Sequence, residues 1–445
     1  MATTAILDPE HPLSQHEGPA RAVLPSPSIT PLGIPVQRSV LLALALLLLP
    51  FSQGAGQETA GAPRVFLVTI DQGGEIWELF GHNALLIQDE ASGEALAWNW
   101  GLFDFGDADF VPRFLRGEML YTMGPADAEP FLRSYITADR SVYLNEVNLT
   151  PAQARELDAF VRWNFLPENR RYIYDYFRDN CSTRIRNVLD GVLGGAIREQ
   201  SAERLTPHSY RWHSRRLVQV DFWVDQGLSF GLGSRGDRPI TEWEAMFLPM
   251  ELLEILEAME VRDQAGRPRP LLGPREVVYQ AERELAPPEP PGFPWLWIVG
   301  GLLAAGAIVL AGVRAGRGST GARVALLLTG AVWGIAAGTL GTILVLSWFT
   351  DHEFMHWNLN LLYASPFLLP AGLLLLAGLR PSWLRGLPGR VAHGLILLSA
   401  ALSVGAAVVQ FLGIVTQGNG EVIAVALPAN LALALGILFC RGDRS

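Results

Sequence analysis

One cysteine lies in a setting that favours reactive chemistry. Cys181 directly follows Asn180, which is a good N-cap for a helix. Apolar residues then recur at helical spacing, at Ile185, Val188, Leu189 and Val192. The pattern predicts a helix that begins at about residue 181. Free backbone N–H groups and the helix dipole favour an anion in its first turn, and Arg178 and Arg184 add positive charge. Such surroundings lower the pKa of a thiol and make it a nucleophile. The plain alternative is a small residue that packs in the core.

A nucleophilic thiol needs a base that takes its proton and a group that orients that base. His82 starts an apolar run, the turn-like segment Glu90–Gly93 follows, and a second apolar run leads to Gly101. This order predicts a β-hairpin in which His82 faces Gly101 or Asn99 and shares one face of the sheet with Asn99. Asn99 would then hold one imidazole nitrogen while the other nitrogen faces Cys181. Alternatively, His82 and Asn99 are ordinary structural polar residues of the sheet. Two weaker candidates for the base are His208 and His213.

The second half of the chain has the composition of a membrane domain. Mean hydropathy is +0.23 and 49% of the residues are apolar, with the excess after Pro294. Five apolar stretches occur there, at roughly 294–313, 324–349, 361–379, 391–414 and 422–440. Each is long enough to cross a hydrocarbon layer of about 30 Å as a helix. We therefore expect residues 294–440 to form an all-α domain of five transmembrane helices.

The loops between these stretches differ in charge, which predicts their orientation. Arginines follow the first, third and fifth stretches, at positions 314, 317, 323, 380, 385, 390, 441 and 444. The other two loops carry Asp351, Glu353 and Glu421 and neither lysine nor arginine. Because positive loops stay in the cytoplasm, the C-terminus is expected there. The acidic loops and everything before residue 294 are then expected on the outer side of the membrane.

The N-terminal region has the features of an export signal. Arg38 precedes the apolar run Val40–Phe51 and the small residues at 54–56. This arrangement is typical of a secretory signal peptide, with an uncleaved anchor as the alternative. We interpret residues 1–62 as leader and signal or anchor, residues 63–285 as the extracytoplasmic domain, and residues 286–293 as a proline-rich tether. The role of residues 1–36 stays open.

Charge and cysteine content exclude two classes of interpretation. The net charge of −10 argues against nucleic acid as a partner. The other cysteine, Cys440, lies at the cytoplasmic end of the last stretch, so it cannot pair with an exported Cys181. An exported domain with one unpaired thiol favours a reactive cysteine.

At this point the residues resemble a known family. The predicted order is a His on a strand, an Asn on the next strand, and Asn-Cys at the start of a later helix. This order resembles that of circularly permuted papain-like enzymes. More narrowly, the chain resembles the Lnb family of bacterial lipoprotein N-acyltransferases. The matching segments are GHNALLIQD, AWNWGLFDF, RGEMLY, RDNCSTRIRNVLD, SRGDRPITEWEAMFLP and HEFMHWNLNLLYASP. In the last segment His352, Asn358 and Asn360 fit the family pattern. One departure is Trp98, where the family usually has Tyr.

The resemblance implies a fold, a reaction and its residues. The fold would be an α+β circularly permuted papain-like domain followed by the five-helix transmembrane domain. The location would be the bacterial inner membrane, with residues 63–285 in the periplasm and the C-terminus in the cytoplasm. Cys181 would take an acyl chain from a membrane phospholipid as a thioester and pass it to the N-terminal α-amine of a diacylglyceryl-cysteine lipoprotein. His82 would be the general base and Asn99 its orienting partner. No cofactor or metal is expected. Tentative substrate-binding residues are Asn180, His352, Asn358 and Asn360.

Two other functions remain open from the sequence. A cysteine peptidase or amidase of the cell envelope would use the same thiol and imidazole but transfer to water. The segment from His352 to His356 also spells H-E-x-x-H, the motif of zinc proteases. A membrane metalloprotease is the weaker alternative, because no third ligand is evident nearby.

Overall fold

A computed structural model describes residues 61–104, 106–263, 265–380 and 386–442. The predicted leader and signal segment, residues 1–62, therefore lies almost entirely outside the described residues. The described chain contains an α+β domain, rich in β-strands, followed by five long apolar helices, as the sequence predicts. The circular permutation of a papain-like fold stays a prediction.

Within the described residues, the N-terminal domain has eleven strands, seven of which form one antiparallel sheet at its centre. The strands are β1 (Arg64–Ile70), β2 (His82–Asp89), β3 (Glu94–Leu102), β4 (Leu120–Asp127), β5 (Val142–Glu146), β6 (Arg171–Ile173), β7 (Leu205–Ser209), β8 (Pro239–Thr241), β9 (Glu260–Arg262), β10 (Pro268–Pro270) and β11 (Glu276–Tyr279). The seven-stranded sheet has the order β11-β5-β1-β2-β3-β4-β6. The predicted hairpin is confirmed, since β2 pairs with β3 in a register that places Ala84 opposite Asn99.

Helices cover both faces of this sheet. The helices of this domain are Phe110–Arg116, Ala128–Thr137, Pro151–Asn164, Cys181–Val192, Ala196–Ser201, Tyr210–Val218, Phe222–Gly231, Glu242–Ala245 and Pro249–Glu257, with 3-10 turns at Ile76–Glu78 and Ser234–Asp237. Cys181–Val192, hereafter the cysteine helix, packs Ile185 and Leu189 fully buried against one face. Ile185 and Leu189 are four residues apart, so they lie on the same face of the helix, as the apolar pattern of the sequence predicts. Ala128–Thr137 covers the opposite face.

The sequence after residue 264 is more ordered than its prolines suggest. Strand β11 pairs with β5 at the edge of the sheet. Beyond it, the backbone N–H of Ala286 donates to Gln72 Oε1 at 3.0 Å. Gln219 Nε2 then donates to the carbonyl of Glu289 at 2.6 Å. The proline-rich stretch 286–293 is thus held against the domain at both points.

Five helices are long and apolar enough to cross a membrane. They are span 1 (Trp295–Gly316), span 2 (Thr320–Ser347), span 3 (Asn360–Ala377), span 4 (Leu387–Phe411) and span 5 (Gly420–Arg441). Span 3 consists of two helices, Asn360–Tyr363 and Leu368–Ala377. Glycines allow the helices to approach closely, because a Cβ at Gly334 of span 2 would lie 2.9 Å from the Cα of Gly372 in span 3.

The N-terminal domain is docked on one end of this bundle through buried polar groups. Arg215 pairs with Asp225 of its own domain and with Glu421 at the start of span 5, each at 2.8 Å. All three side chains are less than a tenth exposed. Arg211 and the backbone N–H of Gly418 share Asp237 in the same region. The loops after spans 2 and 4 therefore lie on the same side of the bundle as the domain.

The buried arginine contact gives a prediction about stability. Glu421→Ala would remove one of two carboxylates from Arg215, and we expect a loss of about 2 kcal/mol in unfolding free energy. Chemical unfolding of the purified protein in detergent would measure the loss. The control is Glu94→Ala, which breaks an exposed pair with Arg162 and should cost less than about 0.5 kcal/mol. Equal losses of unfolding free energy in the two variants would contradict the claim that the buried contact of Arg215 with Glu421 anchors the domain.

Candidate active site

The cysteine helix begins at Cys181, as predicted, because Asn180 caps it. Asn180 Oδ1 accepts from the backbone N–H of Thr183 at 3.0 Å, and Thr183 Oγ1 accepts from the Asn180 N–H at 2.7 Å. The Asn180 amide also donates to the carbonyls of Tyr176 and Phe247 at 2.8 and 2.9 Å. Asn180 is buried and its side-chain amide is engaged on both atoms. It therefore positions the start of the helix, and these contacts do not support the expected substrate-binding role.

His82 is the first residue of β2 and lies at the end of the sheet. Its Nε2 atom is 3.1 Å from Asn99 Oδ1 on the neighbouring strand β3. The Asn99 amide nitrogen donates to the carbonyl of Ala97 at 3.0 Å, which leaves Oδ1 as the acceptor for an imidazole N–H. Nε2–H therefore donates to Asn99, and Nδ1 is the nitrogen left to accept a proton from the thiol. This is the arrangement that the hairpin prediction requires.

The Cys181 thiol lies beside this imidazole in a site with little water. The residue is 8% exposed. Burial raises the pKa of the thiol, but the positive charge of His82 and a hydrogen bond with it together outweigh burial and lower the pKa to about 7. The backbone N–H of Asn83 and the hydroxyl of Ser182 add smaller stabilisation of the thiolate. A large fraction of Cys181 is thus ionised at neutral pH.

The source of positive charge differs from the sequence-based expectation. Arg184 is paired with Asp179, which lies just before the helix, with Nη2 and Oδ2 2.6 Å apart. Arg178 pairs with Asp175 and with Glu353, at 3.1 and 3.0 Å. Both guanidinium groups are therefore largely neutralised by local carboxylates. The main causes of the lowered pKa of Cys181 are the charge of His82 and its hydrogen bond, and neither arginine is among them.

Asn83 and Ser182 are two positioning residues that the sequence reasoning missed. Ser182 Oγ donates to Asn83 Oδ1 at 2.8 Å, and the Asn83 amide donates to Thr69 Oγ1 at 2.9 Å. Both residues are fully buried. Asn83 follows His82 in the chain and Ser182 follows Cys181, so this contact fixes the cysteine helix against β2 beside His82. The sequence does contain one sign of this role, because Asn83 is a polar residue inside the apolar run after His82.

Two glycines beside the site have backbone conformations that side chains disfavour. Gly81, just before His82, has φ of 79°, and a Cβ there would lie 2.7 Å from the carbonyl of Ile70. Gly101 has φ of 91°, and its Cβ position is 3.8 Å from Cys181 Cβ and 3.9 Å from the ring of Tyr174. Side chains at either position would be strained, and one at 101 would touch Cys181.

The tentative binding residues of the membrane half contact backbone groups of the N-terminal domain. Asn358 donates to the carbonyls of Phe230 and Gly231, both at 2.9 Å, and Asn360 donates to Phe230 at 2.8 Å. Both asparagines are buried, and their oxygens accept from Gln417 and Asn419. These amides therefore hold the domain on the bundle and are not directed at a head group. His352 makes a different contact and donates Nε2–H to the carbonyl of Phe114 at 2.8 Å.

The contacts of the H-E-x-x-H segment argue against a zinc protease. Residues Glu353–Met355 form a 3-10 turn, so the two histidines do not share an α-helical face. His356 donates Nε2–H to the carbonyl of Ser347 at 2.8 Å. Glu353 accepts from Arg178 and Arg235, at 3.0 and 3.3 Å, and is not poised to activate water. Within the described ranges, no group of three potential ligands includes these residues.

Comparison with known proteins places the site in a family domain. Residues 56–216 match the family model described as the Lnb N-terminal periplasmic domain. His82, Asn99 and Cys181 all lie inside the matched part. The chain thus carries an Lnb N-terminal periplasmic domain, and the five candidate membrane helices after it are consistent with an Lnb-type protein. Comparisons with curated proteins and with solved structures found no match.

The lowered pKa predicts how Cys181 reacts as pH changes. Only the thiolate reacts with iodoacetamide, so the alkylation rate should rise through a midpoint near pH 7. His82→Gln removes the positive charge and leaves burial, so the midpoint should move above the ordinary thiol value of about 8.5. Mass spectrometry of the peptide that contains Cys181 would follow the reaction. Equal midpoints in the wild-type protein and the variant would contradict the charge pairing.

Proposed function

We propose that this inner-membrane protein is a thiol acyltransferase that moves an acyl chain from a membrane phospholipid, through a thioester on Cys181, to the N-terminal amine of lipoproteins. The match to the Lnb domain supports a lipoprotein-modifying function at the level of the family. The five apolar helices support residence in the membrane where both lipids are found. In the proposed orientation the N-terminal domain is periplasmic and the C-terminus cytoplasmic.

One observation carries the proposal. A thiol with a pKa of about 7 lies beside an imidazole that an asparagine orients. These are the three roles that nucleophilic catalysis by cysteine requires. The site also lies at the end of the sheet that faces the membrane, since Gly117 just before β4 is in contact with the backbone of Asp351.

The first half-reaction forms the thioester. The Cys181 thiolate attacks the ester carbonyl of the phospholipid, and a tetrahedral oxyanion forms. The C–O bond then breaks, and the leaving alkoxide takes the proton held by His82 to give a lysophospholipid. As the first residue of its helix, Cys181 has a backbone N–H without an intrahelical acceptor, and this group would stabilise the oxyanion.

The second half-reaction forms the amide. The unprotonated α-amine of the lipoprotein attacks the thioester carbonyl, and neutral His82 takes the proton that the nitrogen loses. The C–S bond breaks and the thiolate leaves, which restores the pair of thiolate and imidazolium. A leaving group with a pKa of about 7 departs readily, so the thioester suits transfer to an amine. The same tendency would favour hydrolysis if water had free access, and the low exposure of Cys181 opposes it.

The test is the state of lipoprotein N-termini in cells. Cells whose only copy of the gene encodes Cys181→Ala should accumulate lipoproteins with a free N-terminal amine, while wild-type cells carry an N-linked acyl chain. Mass spectrometry of N-terminal peptides would show the difference as the mass of one acyl group. Cys440→Ala is the matched control and should leave the N-termini acylated, because Cys440 lies in span 5.

Other outcomes of the same test separate the alternatives. Unchanged acylation with Cys181→Ala would contradict the proposal and favour a binding module. A purified protein that hydrolyses cell-wall peptides in a Cys181-dependent manner, without transfer of acyl chains, would identify a peptidase or amidase.

A further inference from the structure

A short helix beside the site exposes large apolar side chains. In Phe110–Arg116, hereafter the rim helix, Val111 is 62% and Leu115 64% exposed, and Phe114 is also exposed. Three such side chains in seven residues form a continuous apolar face. Such a face is unfavourable in water and is typical of an element that contacts another apolar phase.

The rim helix is attached to the membrane half of the protein. His352 donates to the carbonyl of Phe114, and the backbone N–H of Asp351 donates to the carbonyl of Arg116, both at 2.8 Å. Gly117, which ends the helix with φ of 78°, permits this contact because a Cβ there would lie 2.8 Å from the Asp351 carbonyl carbon. The apolar face is therefore held beside the end of span 2.

That end of span 2 has the side chains of a membrane interface. Trp348, Phe349 and Trp357 are exposed there, and the rings of Trp348 and Trp357 are 5.0 Å apart. Tryptophans concentrate at the level of lipid head groups. The apolar face of the rim helix thus continues the lipid-facing surface of the spans. This continuity favours lipid over a protein partner as its occupant.

A row of aromatic rings leads from the rim helix to the thiol. The ring of His352 is 6.1 Å from that of Phe114 and 6.5 Å from that of Tyr176. Tyr176 is in turn 6.1 Å from Tyr174, and Tyr174 stacks on Tyr121 at 4.4 Å. The row ends near Cys181, because the ring of Tyr174 and Cys181 Cβ lie 3.9 and 3.8 Å from the same point, the Cβ position of Gly101.

We infer that the rim helix inserts its exposed face into the outer leaflet and that the aromatic row guides one acyl chain of the phospholipid donor from there to Cys181. The inference rests on the proposed acyl transfer and adds the entry route of its donor. Arg113 and Arg116 lie in the last turn of the helix, and Arg116 pairs with Glu118 at 3.2 Å. Basic side chains beside an apolar face are the pattern of helices that lie in a membrane interface.

The test compares two donors on the same protein. Full-length protein in phosphatidylglycerol–phosphatidylethanolamine nanodiscs would be assayed for release of lysophospholipid from the bilayer. The same preparations would be assayed for Cys181-dependent cleavage of p-nitrophenyl butyrate, a water-soluble ester. Leu115→Glu should slow the bilayer reaction about tenfold, since a charge on this face opposes insertion, and leave butyrate cleavage within about twofold of wild type.

Leu166→Glu is the matched control. Leu166 is exposed in the turn after the helix Pro151–Asn164, whose Arg162 pairs with Glu94 at the far tip of the β2–β3 hairpin. The same substitution there should change neither reaction.

Three results would overturn the inference. One is an unchanged bilayer reaction in Leu115→Glu. Another is equal slowing of both reactions, which would mean that the helix only supports the site. The third is a change in oligomeric state with Leu115→Glu, which would show that the face binds a second protein copy. If wild-type protein processes neither donor, the proposed function itself fails, and the inference fails with it.

Discussion

The position of the His82 imidazole beside the Cys181 sulfur is the constraint on which the rest of the site depends. Burial alone would keep the thiol neutral, because a thiolate loses its hydration at this position. The imidazolium charge and its hydrogen bond reverse that preference and lower the pKa to about 7. The pair therefore has to be held at close range, and several structural features serve this end. Asn99 orients the imidazole, the Asn180 cap starts the helix at the cysteine, and the Ser182–Asn83 contact ties that helix to the strand of His82.

The second constraint is the distance between this pair and the membrane. Arg215 and Glu421 join the domain to span 5 through buried charges, while Asn358 and Asn360 hold the backbone of Phe230. A buried ion pair and buried amides are directional, so they set orientation as well as proximity. Apolar contact alone would allow the domain to rotate on the bundle. The polar docking thus fixes the N-terminal domain, with Cys181 and His82, on one end of the helical bundle.

Much of this arrangement could be predicted from the sequence, for physical reasons that differ between elements. The period of Ile185, Val188 and Leu189 and the Asn180 cap predict the cysteine helix, and the turn residues after Asp89 predict the hairpin. The pairs of Arg178 with Asp175 and of Arg184 with Asp179 are local and lie within reach of sequence reasoning. The contact of Arg178 with Glu353, 175 positions away, does not follow from any local pattern. Asn358 and Asn360 fit a family pattern, but their hydrogen bonds reach residues more than a hundred positions away. The catalytic roles of Cys181, His82 and Asn99 stay predictions that chemistry has to test.

The most direct test is to look for the acylated enzyme itself. Purified protein would be incubated with isotopically labelled phospholipid and without lipoprotein, so that the second half-reaction cannot proceed. We expect the peptide that contains Cys181 to gain the mass of one labelled acyl chain, and neutral hydroxylamine to remove it. His82→Gln should show little of this product. A peptide at its unmodified mass, in protein that nonetheless acylates lipoprotein when it is added, would contradict the account.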